Sequence, residues 1–85
     1  MEDEELLRKL EALARALDID VRYEETEGRS GSAVLRGRKV ALVDAGLSVR
    51  GRVEALAAIL AREDTEGVYL PPVVRGLLDV HAPSA

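Results

Sequence analysis

The sequence predicts an α+β domain: a helix, a three-stranded mostly antiparallel sheet, a second helix packed on that sheet, and a short C-terminal helix. Three observations lead there. Leucines recur at helical spacing over residues 4–17, apolar and charged residues alternate over 19–24, and a glycine-containing turn near 37 joins two short apolar runs before helical periodicity returns at 49.

The first helix rests on Leu6, Leu10, Leu13 and Leu17, spaced by four, three and four residues, with Leu7 and Ala14 widening the stripe. Asp3, Glu4 and Glu5 favour the positive end of its dipole. Ile19, Val21 and Tyr23 then alternate with Asp20, Arg22 and Glu24, the pattern of a half-buried strand. Residues 25–31 are polar and turn-like. Two further strands, 32–36 and 39–43, flank Gly37-Arg38, and a glycine first in a two-residue loop suits a type II′ hairpin. Pairing outward from that turn sets Leu35 opposite Val40 and Ala33 opposite Leu42, and this set is the expected core face. Val34, Arg36, Lys39, Ala41 and Val43 fall on the other.

Ser48 is the expected N-cap of a second helix running to about residue 62. Val49, Val53, Leu56, Ala57, Leu60 and Ala61 line one side, and Ala58 and Ile59 extend the apolar surface over more than half the circumference. Such a helix is either central to the fold or doubly covered, by its own sheet and by something else, and in so small a protein another subunit is a candidate for that second cover. A charged loop, a short extended piece at 68–70 and a helix opened by Pro71-Pro72 follow, since proline fits a helix start. Residues 1–80 are expected to form a single domain and residues 81–85 a flexible tail.

The chain has 85 residues, a net charge of −4 and no cysteine, which removes disulfides, thiolate metal sites and cysteine nucleophiles. It also lacks Asn, Gln, Phe and Trp, and ten of its 12 basic residues are Arg. A hot habitat and a GC-rich genome both account for that bias. No apolar run reaches membrane-spanning length, and the acidic start, Glu2 to Glu5, is the reverse of a signal peptide, so a cytoplasmic protein without membrane contact is expected.

Charge is distributed in blocks: −6 over residues 1–27, +5 over 28–53 and −3 over 54–85. Acidic and basic blocks could meet between copies, or the basic block could take an acidic partner. The segment Gly28-Arg29-Ser30-Gly31-Ser32 is the nearest approach to a phosphate cradle, but it joins two strands instead of opening a helix and matches neither nucleotide fingerprint. The candidate contacts for an anion or partner are Arg29, Ser30, Arg36, Arg38, Lys39, Arg50 and Arg52. His81 is the only imidazole and lies in the expected tail without a positioned partner, and the acid pairs Glu24/Glu25 and Glu63/Asp64 lack ligand spacing. No catalytic, metal or cofactor set is expected.

The stretch Ile19-Asp20-Val21-Arg22-Tyr23, Gly28 and Gly31, the strand from Val40 to Asp44, Leu47-Ser48 and the run Glu66-Gly67-Val68-Tyr69-Leu70-Pro71-Pro72-Val73-Val74-Arg75 resemble a group of short uncharacterised bacterial proteins, a resemblance that carries no assigned activity. A more distant resemblance is to the front half of the ImmA/IrrE-type metallopeptidase domain. That family places His-Glu-x-x-His on its second helix, where this chain has Leu56, Ala57 and Leu60. The resemblance thus implies a metal-free version of the fold whose former site has become core.

The functional expectation is a non-enzymatic interaction module, self-associating or joined to another protein, with Ile59 and Tyr69 as candidate oligomer contacts. The alternative is an anion or nucleic-acid binder using residues 28–53, against which the net negative charge and the scarcity of aromatics both weigh.

Overall fold

The computed structural model describes residues 2–83. Three helices, α1 (Asp3–Ala16), α2 (Val49–Leu60) and α3 (Pro72–His81), accompany three strands, β1 (Asp20–Glu24), β2 (Gly31–Leu35) and β3 (Arg38–Asp44). The fold is α+β. Its sheet is mixed, with β3 in the centre, parallel to β1 and antiparallel to β2. Because β3 separates β1 from β2, the loop of residues 25–30 has to cross the end of β3.

Helix α1 buries Leu6, Leu10, Leu13 and Ala14, the stripe that the leucine spacing specifies. It stops in a Schellman turn: Asp18 takes a left-handed conformation at φ 60°, its N–H reaches Arg15 O at 3.0 Å, and the Ile19 N–H reaches Ala14 O at 2.8 Å. The turn satisfies carbonyls at the helix end and sends the chain directly into β1.

The hairpin closes one residue earlier than the sequence suggests. Arg36 and Gly37 both have positive φ, 53° and 78°, so the turn is type I′ and Leu35 pairs with Arg38, Val34 with Lys39 and Ala33 with Val40. The buried face differs as well. Ala41 and Val43 point into the helical core, whereas the expected core pairs, Ala33/Leu42 and Leu35/Val40, belong to the opposite face. The cause lies in β1: the parallel register sets Val21 beside Ala41 and Tyr23 beside Val43, so the apolar side of β1 continues across the sheet. The expected face is joined instead to Asp20, Arg22 and Glu24. Val40 is buried nonetheless, under a depression lined by Asp20, Arg22, Leu35 and Arg38.

Helix α2 is capped by Ser48, whose hydroxyl accepts the Gly51 N–H at 3.1 Å. It lies centrally, with α1, α3 and β3 all packed against it. Its large apolar circumference is therefore covered by its own chain, and Ile59, at 8% exposure, is part of the core. Helix α3 starts at Pro72, buries Val74 and Leu78, and ends at His81. His81 thus belongs to a helix and not to a tail. Of the expected tail, residues 84 and 85 lie outside the described residues. No helix among the described residues is long and apolar enough to cross a membrane.

Candidate functional site

The loop of residues 25–30 is held at the end of β3 by Asp44. One carboxylate oxygen, Oδ2, accepts the Gly28 N–H at 2.8 Å, and the other, Oδ1, accepts the Gly46 N–H at 3.0 Å. The Asp44 N–H in turn donates to Ser30 Oγ at 3.0 Å. The Gly46 amide foremost, then the amides of Gly28 and Thr26 and the charge of Arg52, outweigh the desolvation cost and hold the carboxyl of Asp44 below its ordinary value. Thr26 to Arg29 form a tight turn, with the Arg29 N–H on Thr26 O at 3.1 Å and positive φ at Glu27 and Gly28. The chain's own carboxylate therefore takes the Gly28 amide that a phosphate cradle would have offered.

Three of the six basic side chains of the basic block form ion pairs within the same chain. Arg38 contacts Asp18 at 3.2 Å and Asp20 at 2.9 Å, Lys39 contacts Glu63 at 2.7 Å, and Arg50 contacts Asp3 and Glu54, each at 3.1 Å. The hydrogen bond from Arg38 is the main reason that the carboxyl of Asp20 lies below its ordinary value. Arg52 donates to the carbonyls of Ala45 at 2.8 Å and Leu47 at 3.1 Å. The charge blocks of the sequence are thus partners in one fold: the acidic ends supply carboxylates to the basic middle. Arg29 and Arg36 have no ion pair among the described residues, yet they flank opposite ends of β2, roughly 20 Å apart at strand rise. Arg29, Ser30, Arg36, Arg38, Lys39, Arg50 and Arg52 do not converge on one point.

His81 Nε2 lies 2.5 Å from Glu54 Oε2, tying the end of α3 to α2 and, through Arg50, to Asp3 at the start of α1. The Ser30 and Ser48 hydroxyls are engaged as acceptors at Asp44 and Gly51. No group of three His, Cys, Asp or Glu side chains arranged to hold a metal is found among the described residues. Leu56, Ala57 and Leu60 are fully buried at 0% exposure.

What remains is apolar surface. Of the two expected oligomer contacts, Ile59 is inside the core and Tyr69 is 79% exposed beside an apolar groove lined by Ala12, Leu13 and Ala16 of α1. Exposed apolar side chains also lie on β2, where Val34 is 64% and Leu35 44% exposed, one on each face of the sheet. This strand is an edge and contains no charged residue, whereas the other edge, β1, carries Asp20, Arg22 and Glu24. Charges on an edge discourage pairing with another chain, and β2 has none. Val34 was not among the residues singled out from sequence, although the absence of charge over 31–35 is a signal that could have found it.

No family model, curated protein or solved structure matches the chain.

Proposed function

We propose that the chain is a non-enzymatic interaction module that self-associates, and that the β2 side of its sheet is the surface used. The observation that carries this reading is the uncharged, exposed edge strand bearing Val34 and Leu35. Native proteins usually blunt such an edge with charge, proline or a covering segment. The second helix, which first suggested a partner, lends no support because its own chain covers it. Anion or nucleic-acid binding has less behind it, since most of the basic side chains are held by carboxylates or carbonyls of the same chain. Equilibrium sedimentation from micromolar to millimolar concentration tests the proposal. A concentration-dependent shift to twice the chain mass is expected; a chain that stays monomeric throughout refutes it.

A further inference from the structure

We infer that β2 of one copy pairs antiparallel with β2 of a second copy about a two-fold axis at Ala33, joining two sheets into a continuous six-stranded one. This rests on the self-association proposed above and specifies its geometry.

The direction of the free backbone groups follows from the hairpin. A two-residue type I′ turn is closed by its flanking pair, here Leu35 and Arg38, so Leu35, Ala33 and Gly31 turn their N–H and C=O groups towards β3. By alternation, Ser32 and Val34 turn theirs towards the free edge. These two residues sit symmetrically about Ala33. A two-fold axis there places Ser32 of each copy opposite Val34 of the other, and both pairs can exchange hydrogen bonds. Ala33 meets its own copy as the intervening non-hydrogen-bonded pair, the closest approach in the ladder, with Cα atoms about 4.5 Å apart. A small side chain suits that position.

Within the strand, charge does not oppose this arrangement. The five paired residues are uncharged, so the axis brings no like charges together there. Beyond the strand, the same register sets Arg36 of each copy opposite Ser30 of the other, with Arg29 the next residue along. The equivalent pairing through β1 fails on the same test: an axis at Arg22 sets Arg22 against itself and Asp20 against Glu24.

Because the chain has no cysteine, single Cys variants report the register directly. Under mild oxidation Ala33→Cys is expected to form disulfide-linked dimer at least about tenfold faster than Ser32→Cys or Leu35→Cys, because only position 33 puts its Cα atoms within disulfide range. Val34→Pro, which removes an outward N–H on an edge where proline is tolerated, is expected to weaken dimerisation at least about tenfold and leave the circular dichroism spectrum unchanged. Should the cysteine variants misfold, an isotope-filtered Overhauser experiment on mixed labelled and unlabelled wild-type chains reads the same contact between the two Ala33 Hα protons. A wild-type dimer without preferential linkage at 33, without that contact, or with undiminished pairing in Val34→Pro overturns the register but leaves self-association standing. A wild-type monomer at every concentration overturns both.

Discussion

The guanidinium of Arg52 lies 5.2 Å from the ring centroid of Tyr23 while it donates to the carbonyl oxygens of Ala45 and Leu47. One side chain from α2 thereby joins β1, the turn after β3 and the approach to its own helix. Stacking and two charge-assisted hydrogen bonds act together at a partly buried position. Arg52→Ala is expected to destabilise the fold by about 2–3 kcal/mol. Arg52→Lys restores the charge but not the planar fork, and should recover less than half of the loss. Urea denaturation of the two variants at one low protein concentration measures both, and a loss below about 0.5 kcal/mol in Arg52→Ala would remove the anchor from the account.

Asp44 gives stability a defined acid limb. Its folded-state pKa is lowered from 3.8, chiefly by the Gly46 amide. A depressed carboxyl contributes stability that is present above the unfolded value and lost as pH falls through the folded one. Wild-type stability should therefore drop below pH 3.8, and Asp44→Asn should be less stable at pH 7 with a shallower acid limb. Denaturation midpoints at pH 7 and near pH 3 decide the matter; parallel pH profiles for the two proteins would assign the acid limb to other carboxylates, with Asp20 the first to examine.

The helices were legible because each periodic stripe is local: Leu6, Leu10 and Leu13 in α1 and Val53, Leu56 and Leu60 in α2 are all buried as their spacing requires. The sheet was harder to read because its buried side is set by pairing between strands distant in sequence. Residues 38–44 are apolar on both faces, and only the parallel register with β1, which matches Val21 to Ala41 and Arg22 to Leu42, selects one. The charge blocks were visible, but their solution within one chain was not, since Arg50 and Asp3 are far apart in sequence and adjacent only once α1 packs on α2. The edge at β2 likewise depends on strand order, which alternation along one strand does not reveal.

The hairpin turn at Arg36-Gly37 is not built from its preferred residues. Its first central position is Arg36 with φ 53°, a conformation that asparagine adopts far more readily. Arg36→Asn makes the turn Asn-Gly, the preferred type I′ pair, and is expected to stabilise the folded chain by about 0.5–1 kcal/mol. Stability must be read at a concentration low enough that association does not contribute. At higher concentration the same substitution removes a cation that the two-fold axis brings near Arg29 of the neighbouring copy, so dimerisation should not weaken. An Asn variant less stable than wild type at low concentration would contradict the turn assignment.

Tyr23 sets the alkaline limb. Burial, and then its hydrogen bond to the Glu11 carboxylate, push the phenol well above its ordinary value of 10.0. The folded chain binds that proton more tightly than the unfolded chain. The contribution is therefore whole below pH 10.0 and is lost as pH rises above it, where the unfolded chain releases the proton and the folded one retains it. Tyr23→Phe removes the donor to Glu11 and should cost about 1–2 kcal/mol at neutral pH while flattening the alkaline limb. The chain has two tyrosines, so Tyr69→Phe isolates Tyr23 for spectroscopy. Its phenolate absorbance should be absent at pH 10 in buffer and appear in urea at the same pH. Phenolate absorbance in the folded Tyr69→Phe variant at that pH would mean that Tyr23 is neither buried nor bonded as the fold requires.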